Sequence, residues 1–236
     1  MNKLCVFVQG RPDIAGDELW AQLDHELAEL CSGPGARHIR RAAASSRIAG
    51  AGASVPEVSV SDYDGMLELW FAGPGRLDAT ASDPVWRGRL DEVLGRLTVA
   101  ERTIVLSAQE VLQLDRGHGT VKVIGLAHRS ERFANHDEWV SYWRDVHSPL
   151  AHAIPEVTRH YLRYVHNYVV GAAYGTGGDQ PPYDGVGEEW FASLEGYAAC
   201  LAEPEYVAKI APDDAVFLDL ASSHLLITSE RVVFDI

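Results

Sequence analysis

The sequence predicts an α+β fold in which two copies of one structural unit share a sheet, and an internal repeat is the main observation behind this prediction. Residues 63–72 (YDGMLELWFA) and 183–192 (YDGVGEEWFA) are identical at seven of ten positions and lie 120 residues apart. At the same offset, residues 82–86 (SDPVW) correspond to residues 202–206 (AEPEY). Self-similarity at one fixed offset indicates a tandem duplication.

The boundary between the two copies is predicted near the polar, glycine-containing segment 114–120 (LDRGHGT). We therefore expect one unit over residues 1–115 and a second over residues 120–236. A chain of 236 residues has room for one large domain or two small ones. These two units are called the N-terminal half and the C-terminal half below.

Composition and charge exclude several classes of protein. Hydrophobic residues make up 47% and charged residues 23%, which is typical of a globular chain and excludes a disordered or collagen-like one. The net charge of −14 would repel a phosphate backbone, so we expect no nucleic-acid partner. No apolar run approaches the ~18 residues of a membrane helix, and three widely spaced cysteines suit a reducing compartment. We therefore expect a cytoplasmic protein without a membrane partner.

The first elements of the C-terminal half are a strand and a helix. Residues 121–128 are apolar and β-branched, which predicts a strand. Over residues 137–154, apolar and aromatic side chains recur at helical spacing until Pro155 ends the pattern. Because Pro149 lies inside this pattern, we expect the helix to bend or break just after His147.

The remaining elements complete a recognisable order. Residues 159–170 alternate and are rich in Tyr and Val, which predicts a second strand, and a glycine-rich loop follows over 171–182. A third strand over 187–192, a helix over 194–210 and a fourth strand over 224–233 follow. The order β-α-β-β-α-β is the ferredoxin-like arrangement. Two such units can pair their sheets into one barrel with the helices outside.

Three segments of the C-terminal half together resemble the EthD family of dimeric α+β barrel proteins. They are YWRDVHSPLA at 142–151, RHYLRYVHN at 159–167 and YDGVGEEWF at 183–191. The N-terminal half keeps His25 but has Gln22-Leu23 where the other half has aromatic residues. The resemblance implies a pocket between sheet and helices, used by isomerases, cyclases, dehydratases, cofactor-free monooxygenases and haem-binding barrels alike. We expect the functional site in the C-terminal half.

Four residues of that half are candidates for acid/base catalysis. His147 follows the aromatic face of the helix, and an imidazole with a pKa of about 6.5 exchanges protons at working pH. In the predicted strand, alternation places His160, Tyr164 and His166 on one face, where they can supply a phenol and imidazoles near a substrate carbonyl. Hydrogen-bonded packing is the structural alternative for all four, and for His147 it takes the form of a helix cap.

Aromatic side chains are the candidates for binding a substrate. The four residues are Trp139, Trp143, Tyr161 and Trp190. Core packing is the simplest interpretation of the tryptophans, but such rings also line apolar pockets that suit aromatic or polycyclic ligands. We expect the larger apolar pocket between the helix at 137–150 and the strand at 159–168.

Two acidic positions recur in both halves. Asp64 and Asp184 each precede a glycine, which is typical of a turn, and Glu68 and Glu188 follow four residues later. Because both halves retain these residues, a shared structural role is favoured over catalysis.

No metal or cofactor motif is found. The ten histidines form no HxxxH, HxH or Cys/His pattern, and the glycine-rich phosphate-binding and nucleophile-elbow patterns do not occur. We therefore expect no metal and no cofactor. A haem with one axial histidine is left open, because a single ligand has no spacing to recognise.

The residues and the resemblance together favour an enzyme that needs no cofactor. It would be a lyase, dehydratase, isomerase or cyclase that acts by acid/base catalysis on a hydrophobic, aromatic or polyketide-like molecule of secondary metabolism or aromatic catabolism. His147 would move the proton, with Tyr164 or His160 polarising a carbonyl. A non-catalytic binding or accessory protein and a cofactor-free monooxygenase are the alternatives. The expected partner is a small hydrophobic or aromatic molecule, and a homodimer is left open.

Overall fold

The structure is a computed structural model that describes residues 1–51, 59–73, 75–174 and 181–236. Its strands are β1 (Asn2–Val8), β2 (Ile39–Arg47), β3 (Ser59–Val60), β4 (Gly65–Phe71), β5 (Ile104–Asp115), β6 (Val121–Ala127), β7 (Arg163–Tyr174), β8 (Gly185–Phe191) and β9 (His224–Asp235). Its α-helices are α1 (Gly16–Ser32), α2 (Arg76–Ala81), α3 (Pro84–Leu97), α4 (His136–Tyr142), α5 (Ser148–His152), α6 (Pro155–Thr158), α7 (Leu194–Leu201) and α8 (Ala211–Phe217). Two π-helical turns, Trp143–His147 and Tyr206–Ile210, lead directly into α5 and α8.

Eight of the described strands form a closed antiparallel barrel. Hydrogen-bonded neighbours follow the order β2-β4-β1-β5-β7-β8-β6-β9, and pairing of β9 with β2 closes the ring. The two halves of the chain are joined twice, through β5 with β7 and through β9 with β2. The short β3 runs parallel to the start of β9. The α+β class with one shared barrel is therefore confirmed, whereas the origin of the halves as two ferredoxin-like copies stays a prediction.

Both faces of the barrel strands are buried, because strand side chains alternate between the barrel interior and the helices. In β1, Leu4 and Val6 pack towards the helices, whereas Cys5 and Phe7 lie inside the barrel. The leucines of α1 recur at helical spacing and cover the first set: Leu19, Leu23, Leu27 and Leu30. In the parts of the chain that the structure describes, no helix is long and apolar enough to cross a membrane.

Buried charges inside the barrel tie the two halves together. The amino group of Lys122 lies 2.5 Å from Glu68 and 2.8 Å from both Glu188 and Glu230. Lys3 lies 2.6 Å from Glu68 and also pairs with Glu188. We call the six side chains involved the interior ion cluster: Lys3, Lys122, Glu68, Glu188, Glu110 and Glu230. These contacts support the structural role expected for the repeated glutamates.

The repeated aspartates occupy matching positions. The carboxylate of Asp64 accepts a hydrogen bond of 2.8 Å from the backbone N–H of Gly10. The carboxylate of Asp184 accepts one of 2.9 Å from the backbone N–H of Arg129. In each half the aspartate thus holds the chain that follows the first strand, which is a structural role.

The proline pattern predicts a bend or break just after His147, but the long helix of the C-terminal half does not break there. It continues from His136 to His152 through a π-helical turn in which the N–H of Ser148 donates to the carbonyl of Trp143, five residues earlier. Pro149 has no N–H and would crowd the preceding turn of a regular α-helix. The wider π turn accommodates it without a break and places His147 at its last position.

Two other predicted boundaries are wrong. The strand expected over 159–170 begins only at Arg163, because residues 159–162 form a turn after α6 in which the N–H of His160 donates to the carbonyl of Val157 at 3.1 Å, and the strand runs on to Tyr174. Of the predicted loop, residues 171–174 therefore belong to this strand, and residues 175–180 lie outside the described chain. The single helix expected over 194–210 is α7, a π turn and α8, which together extend to Phe217.

Candidate active site

A cavity lies in the C-terminal half, between the outer face of the barrel and the surrounding helices. The first π-helical turn, α7 and α8 cover it from the helix side. Its volume is about 150 Å³, comparable to an engineered cavity of ~150 Å³ that binds benzene. The apolar part of its wall includes Val123, Ala127, Trp143, Phe191, Leu201 and Phe217. The cavity thus lies in the half where the sequence predicts the pocket and has room for a single aromatic ring.

His147 lines this cavity and is held from behind by Asp213. The π turn ends at His147, whose side chain is buried, with its Nδ1 atom 2.8 Å from the Oδ2 atom of Asp213. The Tyr142 hydroxyl donates to the other carboxylate oxygen at 2.7 Å. The hydrogen bond from His147 lowers the pKa of Asp213, despite the opposing effect of burial. Because a carboxylate only accepts, the proton of neutral His147 is on Nδ1 and its Nε2 is free to act as a base.

Asp214 faces the other nitrogen of the same ring. Its Oδ1 atom is 3.8 Å from the Nε2 of His147, too far for a direct hydrogen bond, and its Oδ2 accepts from the Tyr206 hydroxyl at 3.2 Å. Burial raises the pKa of Asp214 to about 6, against the opposing influence of His147. Asp214 also lines the cavity, so a group that exchanges protons close to neutral pH borders the ligand space.

A second acidic side chain, Glu189, lines the cavity from the barrel side. Alternation along β8 sends Glu188 into the barrel and Glu189 outwards. Burial raises the pKa of Glu189 to about 8, and the charge of Asp214 adds to the effect. The cavity therefore has two carboxyl groups whose environment favours the protonated form.

Aromatic rings form the wall beside His147. The rings of Tyr161 and Tyr164 stack at 5.6 Å, and both line the cavity. Trp143 lines it too. The ring of His166 stacks on that indole with 4.3 Å between the ring centroids, and His166 does not itself line the cavity. Burial holds the pKa of His166 well below its usual value, so this ring is neutral. His166 is thus a packing partner of Trp143 with its Nδ1 3.1 Å from the Tyr168 hydroxyl.

Of the eight candidates from the sequence, four line the cavity: His147, Tyr164, Trp143 and Tyr161. His160 does not, because it precedes the strand and bonds to Glu203 at 2.7 Å on the outer side. Trp190 points into the barrel, 4.5 Å from the amino group of Lys122, because it shares the face of Glu188. His160 and Trp190 therefore do not line this cavity.

Two further candidates lie behind the cavity wall. Trp139 is wholly buried, and its indole N–H donates to the carbonyl of Phe217 at 2.8 Å. It joins α4 to the end of α8 and so supports the wall. His166 supports the wall from behind Trp143. Neither residue reaches the ligand space.

Sequence reasoning missed Asp213, Asp214, Glu189 and Tyr206. The two aspartates lie in the first turn of α8, where acidic residues are common because they favour the helix N-terminus, so nothing marks them as functional. Glu189 could have been found, because strand alternation places it opposite Glu188. No group of His, Cys, Asp or Glu side chains that could hold a metal ion occurs within the described residues.

The family comparison agrees with the resemblance read from the sequence. Residues 134–221 match the EthD domain family. The matched residues lie within the C-terminal half, which contains the cavity. No curated protein matches the chain.

Several solved structures have the same fold, and their alignments extend over nearly the whole chain. An anthrone oxidase-like protein aligns with a TM-score of 0.65 and 13% identity, over 98% of this chain and 92% of that one. A candidate monooxygenase from Fusobacterium nucleatum aligns with a TM-score of 0.58 and 7% identity, over 98% and 93%. One from Lactobacillus acidophilus NCFM aligns with a TM-score of 0.55 and 10% identity, over 99% and 95%. At these identities the likeness concerns the fold.

Proposed function

We propose that the protein is an enzyme that transfers protons within a small aromatic substrate bound in the cavity. The observation that carries this proposal is the His147–Asp213 pair, buried beside an aromatic cavity with the Nε2 atom of His147 turned away from its partner. The carboxylate of Asp213 fixes the ring and its tautomer, and it stabilises the imidazolium that forms when Nε2 takes up a proton. This is the role of a general base.

Asp214 supports the return of the proton. A group with a pKa of about 6 gives and takes protons readily at neutral pH, and Asp214 lies on the Nε2 side of His147. Removing a proton at one atom and returning it at another is the core of isomerisation, dehydration and cyclisation. These are the reaction classes we propose, with no cofactor required for the proton transfer itself.

The test uses phenylacetone, an aromatic ketone whose benzylic hydrogens are acidic. In D₂O, proton NMR follows exchange of these hydrogens, and we expect the protein to accelerate it beyond the buffer rate. His147→Ala should lose about 10²–10⁴-fold of that acceleration. His25→Ala is the control, because His25 is exposed on α1 and matches His147 in the repeat once a two-residue slip is allowed.

Two results would argue against this function. Equal losses in His147→Ala and His25→Ala would show that the effect is not local to the site. Binding of the ketone with no acceleration by the wild type would favour the non-catalytic binding role instead.

A cofactor-free monooxygenase is the second candidate, and the fold shared with an anthrone oxidase-like protein and candidate monooxygenases favours it. The same base would take a proton from a benzylic CH₂ group, and the carbanion would react with O₂. The CH₂ group becomes C=O and the second oxygen atom leaves as water. Dioxygen uptake on adding phenylacetone, whose single ring matches the cavity, would support this reaction if it is absent in His147→Ala, and no uptake by the wild type would exclude it for that substrate.

A further inference from the structure

Glu189 is half-buried, and it differs from the buried Glu68 and Glu188 in making no hydrogen bond or ion pair within the described part of the chain. Its neighbour Glu188 contacts the amino groups of Lys3 and Lys122 inside the barrel. On the opposite face of the same strand, the cavity wall around Glu189 has no lysine or arginine. Two adjacent glutamates thus lie in opposite electrostatic surroundings.

An ionised carboxylate in such a place would be costly. Moving a charge from water into an apolar site without a partner is so unfavourable that the group takes up a proton instead. The titratable groups that line the cavity with Glu189 do not compensate its charge. Asp214 raises the pKa of Glu189 further, and neither His147 nor His224 offsets that rise. The remaining groups are neutral, because burial raises their pKa values: Tyr161, Tyr197, Tyr206 and Cys200. Burial accordingly raises the pKa of Glu189 to about 8.

A protonated carboxyl group has one O–H donor, and in this cavity the donor lacks an acceptor. We propose that Glu189 binds as a neutral hydrogen-bond donor and selects aromatic ligands that carry a carbonyl oxygen, such as aryl ketones, aldehydes and quinones. This inference rests on the proposed function and names its substrate class. A mainly apolar cavity for the ring, with a small number of polar groups for the substituent, is the usual composition of a selective small-molecule site.

The same contact would assist the proton transfer. When His147 Nε2 takes a proton from the carbon next to the carbonyl, the electron pair of the broken C–H bond forms a C=C bond. The carbonyl oxygen gains negative charge, and the O–H of Glu189 stabilises that charge by its hydrogen bond. His147 and Glu189 both line the cavity, so base and donor act on one ligand.

The experiment compares three probes of similar size by NMR titration at pH 6: acetophenone, toluene and benzylamine. The wild type should bind acetophenone more tightly than toluene and should bind benzylamine least. Glu189→Leu should weaken acetophenone binding about 3- to 10-fold, the change in affinity expected for the loss of one hydrogen bond. It should leave toluene binding unchanged. Glu189→Gln is neutral and keeps an N–H donor, so it should retain acetophenone binding.

Three outcomes would overturn the proposal. Benzylamine binding more tightly than acetophenone in the wild type, and losing that advantage in Glu189→Gln, would show that Glu189 is charged; the Gln variant separates its charge from that of Asp214. Equal weakening of toluene and acetophenone in Glu189→Leu would show a change in cavity shape, and no binding of acetophenone would show the wrong ligand class. An infrared difference spectrum between the wild type and Glu189→Gln at pH 6 provides an independent check, because it should contain the band of a protonated carboxyl.

Binding and catalysis are separable in this design. If acetophenone binding depends on Glu189 but exchange in phenylacetone is not accelerated, the proposed function fails and the ligand class stands. If exchange depends on His147 but acetophenone binding does not depend on Glu189, the function stands and the ligand class fails.

Discussion

Replacing Lys122 by methionine tests how the interior ion cluster holds the two halves together. Lys122 is almost fully buried, with its amino group within 2.8 Å of Glu68, Glu188 and Glu230. Burial opposes its charge, but the three glutamates outweigh burial and raise the pKa of Lys122, so the side chain is charged. Methionine has a similar length and keeps the apolar stem in place without the charge.

The expected loss of stability follows from the charges that remain buried when Lys122 is replaced. With Lys122 removed, Lys3 is the lysine left in the cluster for four glutamates, and Arg41 lies 3.5 Å from one of them, Glu230. Removing one partner of a buried ion pair costs about 3–5 kcal/mol, because an uncompensated charge stays buried. At about 2–4 °C per kcal/mol for a chain of this size, the Tm should fall by about 6–20 °C.

Thermal unfolding followed by circular dichroism measures the change. Lys209→Met is the matched control, because Lys209 pairs with Glu205 at 2.5 Å on the surface, where both side chains are about half exposed. An exposed pair of this kind contributes little to stability, so the Tm of Lys209→Met should differ from that of the wild type by less than about 2 °C. The double variant Lys122→Met with Glu68→Gln should recover part of the loss, since it removes one of the carboxylates that then share Lys3.

A Tm for Lys122→Met within about 2 °C of the wild type would show that the lost charge does not destabilise the barrel. A double variant less stable than Lys122→Met would show that the loss of stability comes from packing and not from charge.

Further predictions concern the cavity and its support. Asp213→Asn should reduce exchange in phenylacetone about as much as His147→Ala does, because the amide no longer stabilises the imidazolium. Gly185→Ala should destabilise the fold by about 1–3 kcal/mol in urea unfolding, since its methyl would lie 2.5 Å from a tryptophan ring. Gly95→Ala, with free space around an exposed helical position, should instead stabilise it by about 0.5–1 kcal/mol. Finally, Glu189→Gln should gain stability relative to the wild type as the pH rises from 5 to 8, because folding raises the pKa of this acid and ionisation favours the unfolded chain. Parallel stability curves would contradict that last expectation.

Local patterns in the sequence were sufficient to predict the order of elements and the half that holds the cavity. The repeat YDG…EWFA at 63–72 and 183–192 marked two equivalent strands, and both strands are present in the barrel as β4 and β8. His147 was identified from its position after an aromatic helix face, and it does line the cavity. Periodicity predicts these features because each depends on neighbours within a few residues.

Boundaries were less predictable where two local preferences compete. Pro149 predicts a helix break, but the wider π turn before it gives the proline ring room, so the helix continues. No simple sequence pattern predicts a π turn. The alternation from 159 onwards resembles a strand, but residues 159–162 form a turn after α6, and the strand starts at Arg163. His160 therefore lies in the turn before the strand and does not line the cavity.

Tertiary structure alone decided the chemistry of the site. Asp213 is 66 residues from His147 along the chain, and only the packing of α8 against the π turn brings their side chains into contact. Glu188 and Glu189 are adjacent and chemically identical, but one faces two lysines from opposite halves of the chain and the other faces an apolar cavity. The sequence determines which face of the strand each glutamate occupies, because side chains alternate. What each face meets, and so whether each carboxyl is charged, depends on elements far away in the chain, since burial and charge act through space.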